Sequence, residues 1–331
     1  MPELSAPPTL DDIKAAAKRI APYAHRTPLL ESKMLNERVG GRLLLKCENL
    51  QRHGSFKFRG AYNRISQLSV DEISRGIVAS SSGNHAQGVA AAAGLCGAKA
   101  TIVMPHDAPA IKVANTRALG ADIVVYNRDT ENRDAVAARV VDELGGVFVH
   151  PYEHPHIVAG QGTSALEVVQ ELEKTDDELD AYLVCCSGGG LTAGSAIVMS
   201  ELMPGADIYG VEPADFDDTG RSLVAGRRLS NPATTGSICD ALLVQTPGEF
   251  TYSINSRLLK GALSVSDEEV REAVAYAFMA LKLVVEPGGA VTLAACLAGK
   301  IDCSDKIIGM TLSGGNIDAA LFADIISGQQ P

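Results

Sequence analysis

Residues 182–194 read YLVCCSGGGLTAG. The first five form an uninterrupted apolar run of strand length, as expected of a strand buried on both faces. Ser187 and three consecutive glycines, Gly188, Gly189 and Gly190, follow it, and then a run of small residues. Strand, glycine turn and helix in that order make one unit of an α/β sheet. Glycines also let successive backbone N–H groups converge on an anion. The spacing matches neither GxGxxG nor GxxxxGK(S/T), so it supports neither a dinucleotide nor a P-loop nucleotide. A tight turn with no ligand is the competing reading.

The same alternation extends toward both ends of the chain. Short runs rich in Val, Ile and Leu occur at Arg42–Cys47, 76–79, 100–104, 123–126, 147–150, 208–211 and Ile307–Leu312. Between them lie stretches rich in Ala, Glu and Arg, such as Arg133–Leu144. Ser266 followed by Glu269 is a helix-start capping box. An α/β fold with mostly parallel sheets is expected. Residues 77–150 hold about three strand–helix units of their own. A small mobile unit, 67–153, is therefore expected as an insertion in a larger one built from 1–66 and 154–331. Ligands of open α/β sheets bind beyond the carboxyl ends of the strands, in the cleft.

The bulk properties narrow the function. At 331 residues the chain has a prior of roughly two domains. Hydrophobic residues at 46% and charged ones at 21% exclude wholesale disorder. A net charge of −11 repels phosphate, so nucleic acid and anionic membranes are poor partners. No apolar run reaches the roughly 18 residues of a membrane span. The N-terminal residues lack a basic stretch followed by an apolar one, so no secretory leader is expected and a cytoplasmic location is. Seven cysteines without a CxxC pair read as buried reduced thiols.

Four more segments could carry chemistry. Residues 55–60, SFKFRG, set Lys57 between Phe56 and Phe58. An apolar setting disfavours the ammonium and leaves a nucleophilic amine, whereas the bland alternative is a surface lysine at a helix start. Residues 79–88, ASSSGNHAQG, pass from a strand to hydroxyls, a glycine and a helix. The first N–H groups of that helix suit a carboxylate or phosphate; ordinary N-capping by Ser82 or Asn84 is the alternative. Residues 312–316, LSGGN, put the Ser313 hydroxyl at a strand's carboxyl end. Residues 212–218, EPADFDD, hold four acids in seven positions, either a hard-cation site or a solvated acidic loop.

Taken together these motifs resemble the fold-type II, pyridoxal-phosphate-dependent enzymes, specifically the serine racemase and serine/threonine dehydratase family. The resemblance rests on SFKFRG, SSGNHAQG, AGQGT (159–163), SGGGLTAG, VEP (211–213), EPGGA (286–290) and LSGGN, in that order, and spans nearly the whole chain. It implies a tryptophan synthase β-like architecture of two open parallel-sheet lobes with pyridoxal 5′-phosphate in the cleft between them. Lys57 would bond to the coenzyme aldehyde and later move protons on one of its faces. Phe56 would lie beside it, and Ser187, Gly188, Gly189, Gly190 and Leu191 would hold the phosphate. Asn84 would meet the ring hydroxyl, Ser313 the ring nitrogen, and Glu286 would stand close by. Ser81, Ser82, Asn84 and His85 would bind the substrate carboxylate, with Arg133 near the substrate mouth. Glu212, the carbonyl of Phe216, and Asp218 would hold Mg2+, Mn2+ or Ca2+.

The implied activity is β-elimination of L-serine or L-threonine to a 2-oxo acid and ammonia. Ser82, on the face opposite Lys57, adds serine racemisation, since racemases of this family carry serine there. Tyr152 stands where racemases have Asn, and Ala241 replaces a common Gly, so racemase and dehydratase features are mixed. A 3-hydroxyaspartate ammonia-lyase is the close alternative, and a non-catalytic amino-acid binder the distant one. The expected partners are a small β-hydroxy amino acid and a second copy of the chain, as family members are commonly dimers.

Overall fold

A computed structural model describes residues 6–108, 110–127 and 129–328. Ten strands fall into two sheets: β1 (Leu29–Glu31), β2 (Arg42–Cys47), β3 (Ile77–Ser80), β4 (Ala100–Pro105), β5 (Asp122–Tyr126), β6 (Val147–Phe148), β7 (Ala181–Cys185), β8 (Asp207–Pro213), β9 (Gly261–Val265) and β10 (Ile307–Leu312). The larger sheet has the order β1-β2-β10-β7-β8-β9 and the smaller β5-β4-β3-β6. All pairings are parallel except β1 with β2. The smaller sheet is drawn entirely from 77–148, whereas the larger takes strands from both sides of that stretch.

Both sheets are covered on two faces, which is why their strands read as continuous apolar runs. In β3, Ile77 and Ala79 join one core with Phe58 and Ala90, while Val78 points into another with Val103 and Val140. The larger sheet is clothed by a single extended core that includes Leu43, Leu45, Leu183, Val198, Leu293 and Met310.

Register puts the functional turns in one row. Leu312 pairs with Cys47, Met310 with Leu183, and Cys185 with Val211. Glu48, Ser313 and Cys186 therefore follow the carboxyl ends of three neighbouring strands, and Glu212 is the next-to-last residue of the fourth, β8. The segment 159–163, AGQGT, lies inside the helix Pro155–Leu172 and serves packing. A Cβ on Gly160 would sit 2.6 Å from Gly60 Cα, and one on Gly162 would sit 2.8 Å from Gly194 O. These glycines let three helices approach backbone to backbone beneath the cleft.

Behind the site is a buried ionic cluster. Arg59, fully buried, donates to both oxygens of Glu48 and both of Glu167, and Lys46 reaches Glu167 at 2.5 Å. Thr27 adds a bond to Glu48 at 2.6 Å. All seven cysteines are unpaired thiols. Among the described residues no helix is long and apolar enough to cross a membrane.

Candidate active site

Lys57 opens the helix Lys57–Ile65. The turn before it is stitched to the end of β10, with Phe56 N donating to Ser313 O at 3.2 Å and Ser55 bridging Gly314. Lys57 Nζ donates to Pro151 O at 3.1 Å and lies 5.1 Å from the Phe56 ring centre. Phe58 is turned away into the core of the smaller sheet, so only one of the two flanking rings faces the amine. Burial pushes the Lys57 amine down to about 8; the Cys185 thiol and Glu286 oppose the shift. An amine with that value is half free base at about pH 8 and already partly so near neutrality, which a surface lysine is not.

The segment after β3 approaches from the other side. Gly83 is the N-cap of the helix Asn84–Leu95, with no side-chain cap, and Ser81 Oγ accepts from Gly83 N at 3.1 Å. Neither Ser82 nor Asn84 caps this helix, so its first N–H groups stay open to a ligand. Open space surrounds the turn: a Cβ on Gly83 would meet nothing within 4 Å. Asn84 Nδ2 donates to Glu286 Oε1 at 2.5 Å, and Asn84 Oδ1 accepts from Asn316 Nδ2 at 2.7 Å. His85 is buried, with Nε2 at 2.8 Å from Val149 O. Burial, reinforced by Lys57, pushes it down to about 3, so the ring is neutral and Nε2–H is the donor. His85 therefore offers a carboxylate its backbone N–H rather than its ring.

The 187–191 turn packs against Tyr152, the residue after the Pro151 carbonyl that Lys57 bonds. Gly189 has φ +86 and caps the helix Gly190–Leu202 without a side-chain bond. A Cβ on Gly188 would lie 2.2 Å from the Tyr152 ring, and one on Gly190 would lie 2.8 Å from Tyr152 Cβ. Only glycine fits under that ring. Leu191 is buried in the main core, and Ser187 Oγ accepts from Val244 N at 3.4 Å. Ser313 is buried and lies beside the Cys185 thiol. Glu286, also buried, is the N-cap of the helix Pro287–Leu297 and is pushed up to about 7, by burial first and Asp240 second.

The acidic segment has a distinct geometry. Glu212 is fully buried, its two oxygens accepting from Thr219 N at 3.0 Å and Gly220 N at 2.9 Å. Burial and then Asp218 push it up to about 8. Burial also raises Asp218, to about 6; Oδ1 accepts from Asn231 Nδ2 at 2.7 Å, and Oδ2 has no partner. Two buried carboxylates and one orphaned oxygen are the donor chemistry of a hard cation, and the solvated-loop reading fails for both acids. Among the described residues no group of three or more His, Cys, Asp or Glu side chains could hold a metal. The expected set has only two such side chains, since its third ligand is the carbonyl of Phe216.

Arg133 begins the helix Arg133–Leu144 and pairs with Asp134 at 2.9 Å, its side chain 57% exposed. Its charge is felt by Tyr152 and His150, so it lies near both. The sequence reading missed His150, Glu153, Thr251, Asn255 and Asn316. His150 Nδ1 accepts from Glu153 N at 2.8 Å and Tyr152 N at 3.3 Å, and burial pushes the ring down to about 4. The run HPYEHPH at 150–156, with four ionisable side chains among His and Glu, was the available signal.

The arrangement thus sets a buried, weakly basic amine and an N–H-lined glycine turn against the same Pro151–Tyr152 link. That pairing fits a molecule with an aldehyde at one end and a phosphate at the other, as pyridoxal 5′-phosphate has. A family of proteins described as pyridoxal-phosphate dependent enzymes matches residues 20–314. The L-threo-3-hydroxyaspartate ammonia-lyase of Saccharomyces cerevisiae is 43% identical over 325 residues, covering 98% of each chain. The serine racemase of Schizosaccharomyces pombe is 39% identical, covering 97% of this chain and 98% of that one. The crystal structure of T.th. threonine deaminase superposes with a TM-score of 0.89 at 43% identity, covering 94% of this chain and 99% of the other.

Proposed function

The chain belongs to the family of pyridoxal-phosphate dependent enzymes, and on that premise we propose that it eliminates the β-hydroxyl of L-serine or L-threonine, giving a 2-oxo acid and ammonia, and also racemises serine. The observation that carries this is the Lys57 amine, buried, lowered to about 8 and bonded to Pro151 O, whose neighbour Tyr152 packs on Gly188 and Gly190 of the triple-glycine turn. When bound, the coenzyme supplies an aldehyde for the substrate amine and a ring that delocalises the electrons left at Cα.

The chain's own groups do the rest. Gly188, Gly189 and Gly190 would hold the phosphate on backbone N–H groups, with Ser187 and Leu191 closing the turn's ends. The open first turn of the helix Asn84–Leu95, with Ser81 and Ser82 before it, would orient the substrate carboxylate. Lys57 would then take the Cα proton, since its free base is available near neutral pH. Ser82 would return a proton from the opposite face, which is what racemisation requires. Ser313 would offer the ring nitrogen a neutral hydroxyl, where a carboxylate would hold a proton.

Three further readings belong to the same proposal. Glu212, Phe216 O and Asp218 bind a divalent cation, a reading supported by the unpartnered Asp218 Oδ2. Residues 67–153 move as a unit against 1–66 and 154–331. The bridge from Lys112 to Asp240, 2.6 Å long, is the kind of contact such closure would make or break. The protein works as a cytoplasmic homodimer.

A second substrate reading is 3-hydroxyaspartate. Arg133 near Tyr152 and His150 favours it, because a half-exposed ion pair with Asp134 can exchange partners with a substrate's second carboxylate. The test is to incubate the purified chain and coenzyme with L-serine, L-threonine and 3-hydroxyaspartate, assaying keto acid and both enantiomers. Absence of keto acid from every one of them removes the proposal.

A further inference from the structure

Glu153 caps a helix to which it does not belong. It lies next to Tyr152, in the link between β6 and the helix Pro155–Leu172. Phe250 N donates to its Oε2 at 3.0 Å and Thr251 N to its Oε1 at 3.2 Å. These two N–H groups belong to the first turn of the helix Glu249–Leu258, whose own N-cap, Gly248, offers no side chain. A carboxylate is favoured there by the unpaired donors and the helix dipole. A Cβ on Gly248 would sit 2.0 Å from Glu153 Oε1, so the glycine is what admits the carboxylate.

The same helix grips the triple-glycine turn. Thr251 Oγ1 donates to Gly188 O at 2.6 Å; it also lies 3.2 Å from Glu153 Oε1, and its single proton goes to the shorter contact. Asn255 Nδ2 donates to Gly189 O at 3.3 Å, adding to the 2.8 Å bond that this oxygen accepts from Ala193 N. In a trans peptide the C=O of one residue and the N–H of the next point to opposite sides. Holding the carbonyls of Gly188 and Gly189 toward the helix therefore turns the N–H groups of Gly189 and Gly190 away from it. Among the described residues neither of those N–H groups meets an acceptor. Tyr152 closes the arrangement from the other side, its ring filling the space beside Gly188.

We propose that Glu153 is a positioning residue for the coenzyme phosphate: it anchors the helix that fixes two carbonyls of the glycine turn, so that two N–H groups are presented together. This rests on the reading under Proposed function and deepens it. The residue touches neither coenzyme nor substrate in this role; it acts through Thr251 and Asn255.

The test is a pair of titrations of the full chain, one with pyridoxal 5′-phosphate and one with pyridoxal, which lacks the phosphate. Glu153→Ala is expected to weaken the phosphorylated form about 10- to 100-fold, the usual loss when a supporting hydrogen-bond partner is removed. Affinity for pyridoxal should stay as in the parent. Glu153→Gln keeps an acceptor oxygen and should recover most of the loss. Thr251→Val cuts the Gly188 contact alone and should show the same selectivity, which carries the test if Glu153→Ala does not fold. No loss, or equal loss for both ligands in the folded variants, overturns the proposal. A parent chain that binds neither ligand would instead defeat the functional reading beneath it.

Discussion

Asn84 and Glu286 stand 202 positions apart in the chain, yet Asn84 Nδ2 donates to Glu286 Oε1 over 2.5 Å. The bond ties the first residue of a helix beside the smaller sheet to the N-cap of a helix against the larger one. It also opposes, without cancelling, the burial that raises Glu286 from 4.5 to about 7.

That shift has a sign. The folded chain holds the Glu286 proton up to about pH 7, whereas the unfolded chain releases it near 4.5. Between those values the folded state binds more protons, so this group makes stability fall as pH rises through the window. Glu286→Gln should flatten the decline. Denaturant midpoints of parent and variant should diverge in the variant's favour from about pH 5 to about pH 7. Parallel curves would show that Glu286 titrates normally.

Lys57 should show a different profile. Its amine is lowered from 10.5 to about 8, so the nucleophilic free base grows with pH through a midpoint near 8. The rate of pyridoxal 5′-phosphate capture by apo-protein, followed by absorbance, should trace that rise. Lys57→Ala should abolish the absorbance and reduce turnover by at least about 10²-fold. A midpoint near 10.5 would mean the amine is solvated.

Ser82 separates the two activities. If it returns protons on the far face, Ser82→Ala should lower serine racemisation by about 10²- to 10⁴-fold. Keto-acid formation should persist, since elimination needs only Lys57 for the Cα proton. Chiral chromatography beside a keto-acid assay reads both, and an equal fall would reduce Ser82 to a substrate ligand.

The buried cluster should dominate stability. Arg59 has its whole guanidinium committed to Glu48, Glu167, Thr163 and the His25 carbonyl. Arg59→Met leaves Glu48 buried with no bonded cation and only Thr27, and Glu167 with Lys46 alone, and should destabilise by about 3–5 kcal/mol in urea. A change below about 1 kcal/mol would mean that water reaches the cluster.

A cation at Glu212 and Asp218 should stabilise by mass action. Mg2+ at about 100 times its dissociation constant should add about 2.7 kcal/mol, seen as a raised melting temperature. Asp218→Asn should remove the response. An unchanged melting curve with Mg2+, Mn2+ and Ca2+ alike would leave the two acids without that role.

Much of this was legible because the signals are local. The strands Arg42–Cys47 and Ile307–Leu312 and the helix Arg133–Leu144 have the bounds that their apolar pattern and composition suggest. The capping box at Ser266 and Glu269 is present. Two strands were not foreseen. β1 is three residues on an antiparallel edge, too short for a period, and β9 reads GALSV, with only its last residue fully buried. Glu48 and Arg59 would pass for surface charges, because nothing local marks two buried ions that satisfy each other. Glu153 and Thr251 are 98 positions apart, and a side chain that bonds backbone N–H groups leaves no periodic trace.

Because strands β3 to β6 all come from 77–148 while Lys57 and the 187–191 turn lie outside that stretch, the two halves of the proposed chemistry are separable along the chain. Ser82, His85 and Arg133 sit on one contiguous cassette. Transplanting that cassette from a relative with another substrate should import the donor's preference and leave the recipient's coenzyme seat in place.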